Sequence, residues 1–175
     1  MTNDQIKQEA ISHFSQLIDS QLARIDVLKE QDSWVDYSKK KKLVIGICWG
    51  DGIGEEISKQ AQRVLAFSLK KAIDCGRIEF RIIDGLTIEN RVEKMAAIPK
   101  DVLHELKQCD VILKGPTTTP QQGDDWPNIE SANVAMRREL DLFANFRPVT
   151  IPEKNIEWAF FRENTEGAYV LGSQG

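Results

Sequence analysis

Leu43-Val44-Ile45-Gly46-Ile47-Cys48, followed at once by Trp49-Gly50-Asp51-Gly52-Ile53-Gly54, is the stretch that decides how this chain folds. A short apolar run bounded by turn residues marks a buried strand. Glycines that tolerate positive φ then turn the chain tightly into a helix expected over residues 55–73, with Ile57, Ala61, Val64, Leu65 and Leu69 facing inward. The glycine spacing is Gly-x-Gly-x-Gly rather than Gly-x-Gly-x-x-Gly, and Glu55 and Glu56 occupy the helix start where a phosphate would sit. Taken alone, these glycines read as a structural strand-to-helix turn, not as a pyrophosphate cradle.

The pattern repeats downstream. Residues 78–83 predict a second strand, residues 87–97 a helix, and residues 100–108 another helix with Pro99 at its first turn and Val102, Leu103 and Leu106 as apolar contacts. A third strand over 109–113 then delivers the chain into Lys114-Gly115-Pro116-Thr117-Thr118-Thr119-Pro120. Strands alternating with helices at this spacing indicate parallel β/α units, hence an α/β fold. In open sheets of this class ligands bind beyond the carboxyl ends of the strands, where both glycine-containing turns, 50–54 and 115–120, are expected.

Upstream, apolar residues at three-to-four spacing from Ile6 to Leu28 predict one long amphipathic helix over 3–31, its stripe covered by its own domain or by a partner chain. Lys39-Lys40-Lys41-Lys42 is a solvated junction. Downstream, residues 121–128 are polar and turn-rich and read as a surface loop. Ser131 is a good N-cap for a helix over 132–140 on which Asn133 and Arg137, four apart, share a face. Two further strands, 142–149 and 158–161, carry the chain to Arg147 and Arg162, and Tyr169 follows.

The composition is globular, with 41% hydrophobic and 29% charged residues in 175. A net charge of -4 argues against a nucleic-acid or anionic-membrane partner. Cys48, Cys75 and Cys109 are odd in number, widely spaced and accompanied by only two histidines, which fits a reducing, cytoplasmic setting and no cysteine-histidine metal motif. No apolar run reaches the roughly 18 residues that span a bilayer. Arg137, Arg147 and Arg162 form the local positive feature of an acidic chain. A guanidinium stays charged and grips a carboxylate through two parallel hydrogen bonds, so the set suits a small polyanionic acid.

The ordered motifs Gly50-Asp51-Gly52-Ile53-Gly54, Leu113-Lys114-Gly115-Pro116-Thr117-Thr118-Thr119-Pro120, Ser131-Ala132-Asn133-Val134-Ala135-Met136-Arg137-Arg138-Glu139-Leu140-Asp141-Leu142, Arg147-Pro148-Val149 and Phe161-Arg162-Glu163-Asn164-Thr165-Glu166 followed by Tyr169 carry a resemblance. Over about residues 43–172 the chain resembles the β-decarboxylating dehydrogenases, the isocitrate and 3-isopropylmalate dehydrogenase family, and looks most like the isocitrate branch. The resemblance implies the N-terminal part of that family's fold, which is not a Rossmann fold: a helical extension over 1–42, the first part of a large α/β domain over 43–142, and the start of a small domain over 143–175.

It also implies a chemistry: oxidation of isocitrate by hydride transfer to NAD or NADP with Mg2+ or Mn2+, then loss of CO2 to give 2-oxoglutarate, in a homodimer with a shared active site. By resemblance, Arg137, Arg147 and Arg162 hold substrate carboxylates, Ser131 and Asn133 complete the pocket, Tyr169 donates a proton, and Lys114, Thr118 and Thr119 face the cofactor. Glu55 stands where a proline is common in the family, and the loop before Ser131 is longer than is common. The family's catalytic lysine, metal-binding aspartates and adenosine-binding segment match no part of these 175 residues, so the chain is expected to be an N-terminal portion without turnover of its own and without metal ligands. The rival expectations are a sister acid such as 3-isopropylmalate or homoisocitrate, and a non-catalytic acid-binding module.

Overall fold

The computed structural model describes residues 1–30 and 35–165, and the chain divides into two units, Met1–Lys40 and Lys41–Gly175. In the first, α1 (Asn3–Glu30) is the only regular element among the described residues. No residue of α1 is buried, and Phe14, Leu22 and Ile25 are all exposed. Within the described residues of this unit the stripe has no apolar cover.

In the second unit, β1 (Leu43–Cys48) is followed by α2 (Gly54–Ser68), α3 (Lys70–Asp74), β2 (Ile78–Ile82), α4 (Ile88–Glu93), α5 (Lys100–Lys107), β3 (Val111–Lys114) and α6 (Ala132–Glu139). The three strands form one parallel sheet in the order β2-β1-β3, with Leu43 opposite Ile78 and Cys48 opposite Lys114. Asp110 extends the β3 pairing by one residue: its amide donates to the Val44 carbonyl at 2.9 Å and its carboxylate accepts from the Val44 amide at 2.8 Å. The chain leaves β1 toward β2 and returns past it to β3. The order thus reverses between β1 and β3, which is where an open α/β sheet forms its ligand crevice.

The core lies against this sheet. Cys48, Ile83, Leu86, Ile98, Val102, Leu106, Ala132, Ala135 and Met136 make one buried cluster, with Val102 and Leu106 one turn apart on α5. Each fully buried large aliphatic side chain contributes on the order of 1.5–3 kcal/mol. Burial also pushes the Cys48 thiol up to about 11, since a thiolate there would lose its hydration.

The helix expected over 55–73 is two helices, because Leu69 adopts φ -100 and ψ 11 between α2 and α3. Two of its expected inward residues are corrected as well: Ile57 and Val64 are 49% and 65% exposed. The buried positions of α2 are Gly54 and Ser58. A Cβ at Gly54 would lie 2.6 Å from the Trp49 carbonyl oxygen, and the Ser58 hydroxyl donates to that same oxygen at 3.3 Å. The helix approaches the strand end so closely there that only small residues fit. The helix expected over 87–97 is shorter for a comparable local reason, with Met95 at φ 45 just beyond the end of α4.

A two-stranded antiparallel hairpin, β4 (Ala144–Ile151) and β5 (Ile156–Glu163), follows α6, turning through a 3-10 turn at Pro152–Lys154 and Asn155 in the left-handed conformation. Its base is tied down by the Leu142 amide donating to the Arg137 carbonyl at 2.8 Å and the Asn164 amide donating to the Phe143 carbonyl at 2.9 Å.

Cys75 is exposed whereas Cys48 is buried, so at pH 8 an aromatic disulfide reagent should titrate Cys75 quickly and Cys48 only after unfolding. Mass mapping of the labelled peptides checks this; labelling of Cys48 in the folded chain would contradict its placement. Gly115→Ala would set a Cβ 1.9 Å from the Trp49 carbonyl oxygen, a backbone clash that neither loop can relieve by a side-chain rotation. Its expected cost is about 3 kcal/mol or more, read as a loss of soluble folded protein or a large drop in Tm.

Candidate functional site

Two loops meet at the strand ends, one after β1 (49–53) and one after β3 (115–120). They are bonded to each other directly. The Asp51 amide donates to the Pro116 carbonyl at 2.7 Å, and the Gly115 amide donates to the Cys48 carbonyl at 2.7 Å. Contact this close requires glycine on both sides: a Cβ at Gly50, which has φ +81, would fall 2.0 Å from the Pro116 carbonyl oxygen, and Gly115 has the clash already described.

Polar side chains fasten the crossing. Asp51 accepts the Thr118 amide at 2.6 Å with one carboxylate oxygen and the Ile88 amide at 2.7 Å with the other. Arg91 is fully buried and donates to three carbonyls: Ala97 at 2.9 Å, Thr118 at 2.8 Å and Glu130 at 3.0 Å. Burial lowers its pKa from the ordinary arginine value, with the Asp51 charge opposing the shift. Lys114, half-buried at the end of β3, donates to the Gly115 carbonyl at 2.8 Å and to the Thr117 hydroxyl at 3.0 Å. Its pKa is lowered, chiefly because burial penalises the ammonium.

The structure brings several of the expected site residues together. Lys114 ends β3 directly before the loop that holds Thr118 and Thr119, and the Thr119 hydroxyl donates to the Ser131 hydroxyl at 3.2 Å. Ser131 sits at the N-cap position of α6, yet its side chain caps nothing; the Thr119 contact takes its place. Asn133 is exposed and Arg137 half-buried on α6. Among the described residues the Arg137 guanidinium has neither an ion-pair partner nor a side-chain hydrogen bond. Its neighbour Arg138 takes the local carboxylates instead, forking onto Glu130 at 2.8 and 3.2 Å and reaching Glu139 at 3.3 Å. The hydrogen bonds to Glu130 raise the Arg138 pKa.

Arg147 and Arg162 are exposed on the hairpin. Arg162 is registered opposite Asn145, and the Arg147 guanidinium donates to the Asn145 side-chain carbonyl at 2.9 Å. Residues two apart on a strand, and residues directly opposite, share a face. Both arginines therefore present on the same side of the hairpin. Tyr169 lies outside the described residues.

A cavity of about 590 Å³ runs along the edge of β3, lined by apolar residues such as Leu106, Val111, Met136 and Leu140 and reaching Lys114. An anionic ligand needs donors, so the chemistry favours the polar loop cluster. Sequence reasoning missed Asp51 and Arg91 as parts of this cluster. For Asp51 the signal was a carboxylate between two glycines of a turn; for Arg91 no local signal exists, since its acceptors lie up to 39 residues away. Among the described residues no group of three histidine, cysteine or acidic side chains is placed to hold a metal ion.

Parallel β/α units with a cationic, hydroxyl-rich loop at the sheet's reversal point define an open α/β fold of the dehydrogenase kind. The chain belongs to the isocitrate/isopropylmalate dehydrogenase family, whose model matches residues 44–174. It is 36% identical over 138 residues to an NADP isocitrate dehydrogenase of Caldococcus noboribetus, covering 73% of this chain and 31% of that protein. It is 34% identical over 136 residues to the NADP isocitrate dehydrogenase of Haloferax volcanii, with the same shares covered. The crystal structure of isocitrate dehydrogenase from Methylococcus capsulatus superimposes with a TM-score of 0.56 at 27% identity, over 73% of this chain and 36% of that one. The chain thus spans about a third of the length of these relatives.

Glu130→Gln should weaken the fork to Arg138 and cost about 1–2 kcal/mol, as expected for a half-buried, charge-assisted pair. A chemical-denaturation midpoint equal to that of the wild type would show the pair to be solvent-screened.

Proposed function

We propose that this chain supplies the carboxylate-binding half of an isocitrate dehydrogenase, which in its complete form oxidises and decarboxylates isocitrate to 2-oxoglutarate. The observation that carries the reading is Arg137: a half-buried guanidinium without a protein acceptor among the described residues, on a helix whose N-cap residue Ser131 meets the Thr119 hydroxyl. A half-buried guanidinium of this kind has donors free for an incoming anion.

In this reading Arg137, Arg147 and Arg162 grip the carboxylates, and Ser131 and Asn133 hydrogen-bond the rest of the acid. Lys114, Thr118 and Thr119 orient the nicotinamide end against the carbon that bears the hydroxyl. NADP, named for the curated relatives, would accept the hydride there. Loss of CO2 from the resulting keto acid leaves an enolate, and Tyr169 delivers the proton that quenches it. No group of three histidine, cysteine or acidic side chains among the described residues fits the divalent metal that assists such chemistry. Residues 1–42 are then an extension, 43–142 the first part of a large domain and 143–175 the start of a small one, in a homodimer of the reducing cytoplasm. The three unpaired cysteines are consistent with that compartment.

Titration calorimetry of the 175-residue chain with isocitrate tests the reading. Saturable binding is expected, weakened roughly ten- to hundredfold by Arg137→Lys, which keeps the charge but loses the fork. No NADPH should form when NADP and Mg2+ or Mn2+ are added. Equal affinity in wild type and Arg137→Lys would remove Arg137 from the site.

A further inference from the structure

The loop that carries Thr117, Thr118 and Thr119 has no helix or strand of its own to fix it. Its conformation is imposed by two side chains far away in sequence. Thr118 is held at both ends of its peptide framework: its amide donates to Asp51, 67 residues upstream, and its carbonyl accepts from Arg91, 27 residues upstream. A residue gripped at N–H and C=O alike has little freedom left in φ and ψ, and its side chain is aimed accordingly.

Neither grip is an ordinary ion pair. Each Asp51 oxygen is occupied by a backbone amide, one from Thr118 and one from Ile88 at the start of α4. Arg91 lies on α4 itself, so the helix that Asp51 anchors is the one that delivers the guanidinium. Its Nε holds the Ala97 carbonyl, Nη1 that of Thr118 and Nη2 that of Glu130. One planar group thereby sets the separation between residues 118 and 130. The hydroxyls of the next residue on each side, Thr119 and Ser131, meet at 3.2 Å. If burial were all that mattered, a methionine or leucine would fill the space without desolvating a charge. Lysine would carry the charge but cannot present a planar fork to three carbonyls.

We infer that Asp51 and Arg91 are positioning residues that together set the Thr118–Thr119 backbone and its distance from Ser131, and so fix the geometry of the ligand-facing hydroxyls. The identity of the ligand rests on the isocitrate reading; the positioning itself does not.

The test is residue-resolved amide hydrogen exchange by NMR on the 175-residue chain and on Asp51→Asn and Arg91→Lys, followed by isocitrate titration of each. Loss of one charge-assisted bond is expected to speed Thr118 exchange about tenfold in Asp51→Asn, while the Ile47 and Cys48 amides of β1 keep their wild-type rates. In Arg91→Lys the Thr118 and Ser131 resonances should shift together, again with β1 unchanged. Isocitrate affinity should fall about tenfold in both variants. Core amides accelerating in step with Thr118 would reduce both residues to general stabilisers and overturn the inference, as would unchanged Thr118 exchange or unchanged isocitrate affinity in variants of a binding-competent chain. A wild-type chain that ignores isocitrate, with Thr118 still responding selectively, would sink the substrate assignment and leave the positioning roles standing. Arg91→Met is the harsher variant; should it not fold, the two conservative ones decide.

Discussion

Two peptide segments pass within hydrogen-bonding distance of one another at the carboxyl ends of β1 and β3, and most features of the Lys41–Gly175 unit follow from that approach. The amides of Asp51 and Gly115 reach across it, and the absence of a Cβ at Gly50 and Gly115 makes it sterically possible. It also decides the inner face of α2, where Gly54 and Ser58 lie against the Trp49 carbonyl and larger residues are turned outward. A parallel sheet leaves its strand-end backbone groups unpaired. Here the groups from the two sides of the reversal point satisfy one another, so the crevice is built from backbone and then dressed with side chains.

Arg91 shows why a charge is retained in the interior. Burying a guanidinium opposes folding unless its donors are met, and here three carbonyls meet them. Those carbonyls belong to half-buried segments with no ladder to join. The arrangement satisfies donors and acceptors together. Asp51 does the same with opposite sign, accepting amides that no strand or helix would satisfy. The pair acts as a substitute for secondary structure in an irregular loop.

The hairpin obeys a different balance. Phe146 stacks on Phe161 at 4.9 Å on one face, and Trp158 meets Phe160 edge-on at 6.0 Å on the other, yet all four remain exposed. Phe146–Phe161 is a cross-strand pair of the kind that adds up to about 1 kcal/mol, whereas Trp158 and Phe160 are neighbours along β5. An isolated two-stranded ribbon is otherwise marginal, so these pairs and the ties at Leu142 and Asn164 are what hold Arg147 and Arg162 on one side of it.

Much of this was legible in the residues alone. The limits of β1, the alternation of strands and helices and the position of the 115–120 turn at the strand ends follow from local patterns that any window of the chain displays. The single long helix over 55–73 and the inward Ile57 and Val64 were misread, because a periodicity cannot report that one end of a helix is pressed against a backbone carbonyl. Nor could it separate Arg137 from Arg138: both are arginines on one turn, and only the position of Glu130 decides which is neutralised. What the sequence determined by itself is therefore the set of elements and the residue types at the strand ends, since these depend on nearest neighbours. The tertiary structure alone decided which carboxylate and guanidinium close the crevice, because Asp51 and Arg91 act on partners tens of residues distant, and only folding brings those into hydrogen-bonding range.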